Sequence, residues 1–344
     1  MHTSSITRCQ RGVALLTVLL VVFLASIAAV SLASVQQLAI RRSTLLLHQQ
    51  QARLYTLGVE QWAGAILKRD RQKSNTDHLG EDWATLPPAL PVEGGSLSGH
   101  IEDLQGRFNL NNLFRQATPG PQPDQNGGED AEGEQAEGEV PGEGQTEEGP
   151  IDRHQLAALQ RLLESLELNP GIAQAIIDWI DPDQEPLFPD GAEDSEYVGR
   201  TPPYLAANRP LLSISELRLI KGIDRDAYAK LAPYVCTLPQ GTKLNINTAP
   251  APVLAAIGNL DLRIAEILIE GRGPKGYDTL EPVLAMASPE ERTRLPDRLA
   301  VTSTYFLVRV ETNVGDGRAI LNSVLQRTDS GGTRILRRSF GNDD

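Results

Sequence analysis

Eight carboxylates fall within the nineteen residues from Asp178 to Glu196, with no Lys or Arg among them. Pro182, Pro186, Pro189 and Gly191 make the chain turn repeatedly here, so the acids share a loop and not one face of a helix. Carboxylates this crowded repel one another unless they are widely solvated or neutralised. A hard cation would neutralise them. Calcium takes six to eight oxygens at ~2.3–2.6 Å and tolerates irregular geometry, whereas zinc would call for His or Cys, and neither is nearby. The loop is not an EF-hand: counting from Asp181, Pro186 stands where the loop glycine belongs and Ala192 where the closing Glu belongs. A glycosidase acid and base are disfavoured because one short loop supplies every acid and no aromatic sugar platform accompanies it. No nucleophile elbow, phosphate loop or dinucleotide fingerprint is present, and the five His residues are scattered, so catalysis is not indicated. The plain alternative for the loop is a solvated acidic surface without a ligand.

The rest of the chain must position this loop. Of 344 residues, 45 are acidic and 32 basic, for a net charge of −13. Ten of the acids lie between Pro119 and Pro150 and eight in the loop just described, which leaves the remaining chain slightly basic. The acidity is local, and it gives no general attraction to nucleic acid. The segment 119–150 mixes Gly, Glu, Gln and Pro with one Val and no aromatic residue, a composition expected to stay disordered. Of the two cysteines, Cys9 and Cys236, the second reads as a small buried hydrophobe.

From Val13 to Ile40 there is no charge, which exceeds the ~20 residues needed to cross a bilayer. Helical periodicity continues beyond it: Leu47, Leu54, Leu57, Trp62 and Ile66 fall near one face, with Arg53, Glu60 and Lys68 left to water. One helix is therefore expected to leave the membrane and enter a soluble domain. Residues 96–104, 304–311, 319–327 and 333–339 alternate as strands, with hairpin signals at Gly315-Asp316-Gly317 and Ser330-Gly331-Gly332. Four strands separated by some two hundred mostly helical residues imply one small antiparallel sheet interrupted by an insertion.

That insertion contains an internal repeat. Phe108-Asn109-Leu110-Asn111-Asn112-Leu113 returns as Leu244-Asn245-Ile246-Asn247-Thr248-Ala249, and helical patterns follow at Ile172–Trp179 and Ile264–Gly271. The second copy looks like a helix-hairpin-helix unit, in which a tight Gly-hydrophobic-Gly turn holds phosphate. The corresponding turns here are Lys221-Gly222-Ile223-Asp224 and Gly258-Asn259-Leu260-Asp261. Asp at the last position would repel phosphate, so a structural scaffold is favoured over a membrane-anchored DNA-binding protein, the main alternative.

The leader Gln10-Arg11-Gly12 followed by Val13-Ala14-Leu15-Leu16-Thr17-Val18-Leu19 resembles the class III signal of type IV pilins and type II secretion pseudopilins. The resemblance implies that prepilin peptidase cuts between Gly12 and Val13 on the cytoplasmic side and that Val13 is N-methylated. It also implies a pseudopilin arrangement, with the N-terminal helix packed on the sheet. Most members carry Glu at the fifth mature position, where this chain has Thr17. An unpaired charge in hydrocarbon costs ~2.5 kcal/mol or more, and the usual Glu is offset by the next subunit's amine. A subunit without that Glu is suited to start or cap a filament, and a bulky insertion is tolerated best at an end.

That departure and the long chain resemble the K-type minor pseudopilin of the type II secretion system. The family carries a similar Asp-x-Asp and Gly-Ala-Glu-Asp segment and binds calcium there. On that resemblance Asp181, Asp183, Glu193 and Asp194 are the expected ligands, with Asp190 and Glu196 as alternates. The expected fold is α+β: a leader 1–12, a transmembrane helix 13–40, and a helix continuation with first strand 41–108. An inserted helical domain 109–300 with helix-hairpin-helix-like (SAM-like) units and the acidic loop 178–197 follows, then C-terminal strands 301–344. Expected partners are the I-, J- and H-type minor pseudopilins, the major pseudopilin, prepilin peptidase, the inner-membrane assembly platform and exported substrate, with no nucleic acid. The expected location is the bacterial inner membrane, single-pass, with a periplasmic C-terminal domain.

Overall fold

The computed structural model describes residues 10–87, 89–115, 150–328 and 331–341. Most of the leader and nearly all of the acidic segment 119–150 lie outside the described residues. Helix α1 runs from Gln10 to Lys73, 64 residues or about 96 Å at the standard rise. No Pro interrupts it, and Arg71 and Lys73 in its last turn suit the negative end of the helix dipole. Every residue from Val13 to Leu47 is exposed, including the whole uncharged run. This is the one helix among the described residues long and apolar enough to cross a membrane. Two of its hydroxyls are satisfied within the helix: Ser26 donates to the Val22 carbonyl at 2.8 Å and Ser34 to that of Ser31 at 2.8 Å.

The strands are β1 (Leu90–Val92), β2 (Gly95–Asp103), β3 (Phe108–Asn109), β4 (Val235–Cys236), β5 (Leu244–Asn245), β6 (Leu299–Ala300), β7 (Tyr305–Val314), β8 (Gly317–Arg327) and β9 (Thr333–Phe340). A five-stranded antiparallel sheet has the order β1-β2-β7-β8-β9, so the strand preceding the helical segment pairs with the first long strand following it. The alternating runs foreseen at 96–104, 304–311, 319–327 and 333–339 are β2, β7, β8 and β9. The short β1 pairs antiparallel with β2, Leu90 opposite Leu97.

The chain divides into two compact units. The first comprises Met1–Glu60, Pro87–Gly99 and Val310–Leu321. In it α1 lies close to the β7–β8 turn: a Cβ on Gly315 would stand 2.3 Å from the His48 ring, and Gly315 has φ +50°. Only glycine suits that turn. The buried residues of α1 here are Ala52, Thr56, Val59 and Glu60, while Leu47 and Leu54 are 64% and 68% exposed. This corrects the expected face. Small side chains let a helix approach a sheet closely, so the side presented inward is the Ala/Thr side and the leucines remain outside. Glu60, expected in water, is buried.

The second unit comprises Gln61–Leu86, His100–Arg309 and Asn322–Asp344. Its helices are α2 (Arg153–Ser165), α3 (Ile172–Ile180), α4 (Asp194–Tyr197), α5 (Arg225–Leu231), α6 (Ala251–Gly258), α7 (Leu262–Gly271), α8 (Glu281–Met286) and α9 (Pro289–Arg294). Helices α2, α3, α6 and α7 enclose one core that includes Leu159, Leu163, Ile176, Leu254 and Leu268. Trp62, expected on the buried face of α1, is 43% exposed, whereas Ile66, expected there with it, is buried, with Ala63 and Leu67 beside it. Cys236 is buried, as its composition suggested, and desolvation pushes its thiol up.

The repeat is structural. Its first residues form β3 and β5, each paired in parallel with a distant two-residue strand: β3 with β4 and β5 with β6. The hairpin aspartates cap helices. Asp224 accepts from Ala227 N at 2.8 Å at the start of α5, and Asp261 from Arg263 N at 2.8 Å at the start of α7. Those carboxylates occupy the helix starts where a phosphate would have to sit.

Candidate metal centre

The acidic loop hangs from the C-terminal end of α3, whose apolar face (Ile172, Ile176, Ile177, Ile180) is buried in the core. Asp178, on that helix and fully buried, organises the loop from inside. Its Oδ2 accepts Leu187 N at 3.1 Å and Ala192 N at 2.6 Å. Both backbone donors stabilise the carboxylate, although burial raises its proton affinity. Gly191 is required at this approach, because a Cβ there would meet the Asp178 carboxylate at 2.2 Å and the Leu187 backbone at 2.5 Å.

This anchoring gathers Asp181, Asp183 and Glu193, each offering a carboxylate oxygen within 4.8 Å of the others. Asp181 and Glu193 are 2% and 3% exposed; Asp183 opens to solvent. Asp183 Oδ1 also accepts Glu185 N at 2.9 Å. Asp181 Oδ1 and both oxygens of Glu193 are buried without a hydrogen-bond partner. Burial, then the charges of Asp183 and Asp178, push Asp181 up to about 7. Burial followed by Asp178, Asp181, Asp183 and Asp194 pushes Glu193 up to about 8. Near neutral pH the group needs either protons or a cation. Three orphaned carboxylate oxygens in an all-oxygen setting fit a hard ion of the calcium kind.

The fourth expected ligand, Asp194, is placed differently. As the first residue of α4 it accepts Ala206 N on Oδ1 at 2.8 Å and Gln184 Nε2 on Oδ2 at 3.1 Å. Of the alternates, Asp190 crowds Gly171 at the start of α3, and Glu196 lies 3.9 Å from Arg200. Asn208 was not foreseen from sequence. Its Oδ1 is buried without a partner, its amide lies 3.4 Å from the Asp183 carbonyl, and its backbone N–H donates to Trp179 O at 3.0 Å. Nothing in Ala207-Asn208-Arg209-Pro210 marks it; only the return of the chain brings it beside the loop.

Comparisons with known proteins agree with this architecture. Family models described as "Type II secretion system (T2SS), protein K" match residues 106–240 and 244–302. The type II secretion system protein K of Pseudomonas aeruginosa is 37% identical over 345 residues, covering 97% of this chain and 94% of its own. That of Aeromonas hydrophila is 34% identical over 348 residues, covering 97% and 98%. Among solved structures, a chain of the GspK-GspI-GspJ complex from the enterotoxigenic Escherichia coli type 2 secretion system superposes with a TM-score of 0.70 at 27% identity. The match covers 88% of this chain and all of that one. A membrane-length helix leading into a helix-on-sheet domain with a large helical segment is the build of a minor pseudopilin of type II secretion. Within that class, the chain belongs to the protein K family.

Proposed function

We propose that the protein stands at the tip of the pseudopilus, where it initiates or caps assembly and so helps folded proteins leave across the outer membrane. The reading places α1 in the inner membrane as a single span and the C-terminal domain in the periplasm. Prepilin peptidase cuts between Gly12 and Val13, and Val13 is then N-methylated. The solved relative forms a complex with GspI and GspJ; this chain is taken to join the corresponding I- and J-type subunits, then the H-type and the major pseudopilin, on the assembly platform.

The observation that carries the reading is Thr17. Its hydroxyl donates to the Ala14 carbonyl at 2.9 Å within the uncharged, exposed N-terminal stretch of α1. The fifth mature position therefore offers no countercharge to an incoming amine, and a subunit of this kind is poorly suited to repeat along a shaft. Gold labelling of assembled pseudopili tests it: label confined to one end supports the reading, and label spaced along the filament overturns it.

We further propose that Asp181, Asp183 and Glu193, with Asp194 and Asn208 beside them, hold calcium as a structural ion. Bound there, it would supply the positive charge that Lys221, engaged with the Gly191 carbonyl at 3.3 Å, does not bring to these oxygens. The DNA-binding alternative finds no support from the hairpin turns, whose aspartates cap α5 and α7.

A further inference from the structure

A second set of acids lies far from the loop in sequence. Asp70 is in the last turn of α1, and Asp77 and Glu81 follow in the segment after it. They are 7%, 1% and 8% exposed, and each brings an oxygen within 4.8 Å of the others. Arg327, at the end of β8, is the buried cation that faces them. Its Nη1 is 3.4 Å from Asp70 Oδ2, and its Nη2 donates to Asp77 Oδ2 and, at 2.6 Å, to the Ser303 carbonyl. The same guanidinium lies 5.0 Å from the centroid of Phe306.

One guanidinium does not balance three carboxylates, and the surroundings add negative charge. Asp103 is buried close enough to Asp77 for their charges to interact, and Asp82 adds to the field at Asp70. Lys73 is drawn outward to Asp82, 3.2 Å away, with both side chains well exposed. His78 Nε2 stands 3.6 Å from Glu81 Oε1.

Glu81 Oε2 is filled by Trp83 Nε1 at 2.7 Å and His78 N at 3.1 Å. Asp77 Oδ2 is filled by Ser303 N at 2.7 Å and by Arg327. Asp77 Oδ1 is buried and has no hydrogen-bond partner at all. Folding does not normally leave a carboxylate oxygen dry and unpaired.

We infer that Asp70, Asp77 and Glu81 form a second hard-cation site, of the calcium class and separate from the acidic loop. Oxygens no more than 4.8 Å apart fit around an ion whose ligands lie at ~2.3–2.6 Å, and the three side chains offer only oxygen. The ion takes up the orphaned oxygen and the charge that Arg327 leaves over. It fastens the end of α1 and the segment after it to the strand end that carries Arg327.

The test uses the full chain in detergent, with bound calcium counted by metal analysis after dialysis at fixed free calcium. Asp77→Asn should hold one ion fewer per chain than the wild type, and so should Asp70→Asn, which leaves the Arg327–Asp77 pair in place. Combining either with Glu193→Gln should remove a further ion. Terbium gives a second readout that needs only Glu193→Gln: emission excited through tryptophan should persist there, because Trp83 is bonded to Glu81, and should vanish when Asp70→Asn is added. If the ion count is the same in wild type, Asp77→Asn and Asp70→Asn, or if Glu193→Gln alone abolishes terbium emission, the second site does not exist.

Discussion

Asn111 and Asn247 hold equivalent places in the two copies of the repeat and make the same pair of bonds to a distant backbone. Asn111 accepts Leu211 N at 2.8 Å and donates to Leu211 O at 3.0 Å; Asn247 accepts Tyr277 N at 2.7 Å and donates to Tyr277 O at 3.0 Å. In each copy the Asn two residues earlier turns its own side chain onto this residue's N–H, Asn109 at 3.2 Å and Asn245 at 3.0 Å. The side-chain amide imitates a strand edge, pairing with one residue much as a β-ladder would.

Replacing either clamp therefore leaves a backbone N–H and C=O without these partners, buried at Leu211 and half-buried at Tyr277. Asn111→Ala and Asn247→Ala should each lower unfolding stability by about 2 kcal/mol or more, at ~1–3 kcal/mol per orphaned group. Urea unfolding of the full chain reads this directly. A change under about 0.5 kcal/mol in either variant would mean that the repeat is a coincidence of sequence.

Much of this was legible in the sequence, for identifiable reasons. The run Val13–Ile40 is legible from its length without a charge, and β2, β7, β8 and β9 from their alternation, and both signals survive any tertiary detail. The acid loop was visible because one short segment supplies Asp181, Asp183 and Glu193. What escaped depends on contacts between segments. The two-residue strands β3 to β6 have no period to read, and Asn208 reaches the loop only through the fold. The inward face of α1 was misread because hydrophobicity favours Leu54 and Trp62, whereas close approach to a sheet favours Ala52, Thr56 and Ala63.

Asp103 sets a pH dependence. Its carboxylate is buried and accepts Ser303 Oγ and Thr248 Oγ1, both at 2.6 Å, Asn245 Nδ2 at 3.0 Å and Gln105 N at 2.8 Å. Burial outweighs these bonds and pushes it up to about 6. The folded chain thus binds this proton more tightly than the unfolded chain, so the group's contribution is greatest below pH ~4. It is lost as pH rises to about 6, a swing of ~3 kcal/mol at 1.36 kcal/mol per pH unit. Unfolding curves between pH 4 and 7.5 should slope less steeply for Asp103→Asn than for the wild type; parallel curves would remove Asp103 as the cause.

Calcium at the acidic loop should compete with protons. Asp181 and Glu193, raised to about 7 and 8, must both be ionised to hold the ion. Stabilisation by calcium should accordingly grow from pH 6 to pH 8.5, reaching ~2.7 kcal/mol at a hundredfold excess over Kd. In chelator the sign reverses: the apo loop loses stability as pH rises through those values, because each step adds a buried charge. Thermal melts with and without chelator at both pH values measure this, and Glu193→Gln should remove the loop's share of the calcium response. An equal calcium effect at pH 6 and pH 8.5 would argue that ions act elsewhere on the chain.

Thr17 permits a gain-of-function test of tip placement. Thr17→Glu puts a carboxylate on the exposed apolar face of α1, where an unpaired charge costs ~2.5 kcal/mol or more and pairing with a neighbour's N-terminal amine recovers part of it. The recovery is available only where another subunit's amine lies alongside. The variant should therefore appear within the shaft, at a frequency that rises with its expression, while the wild type stays terminal at every expression level. Gold labelling at matched expression distinguishes the two. If the wild type enters the shaft as readily as Thr17→Glu, the fifth residue does not exclude the chain from it, and the bulk of the helical segment must be tested by deletion instead.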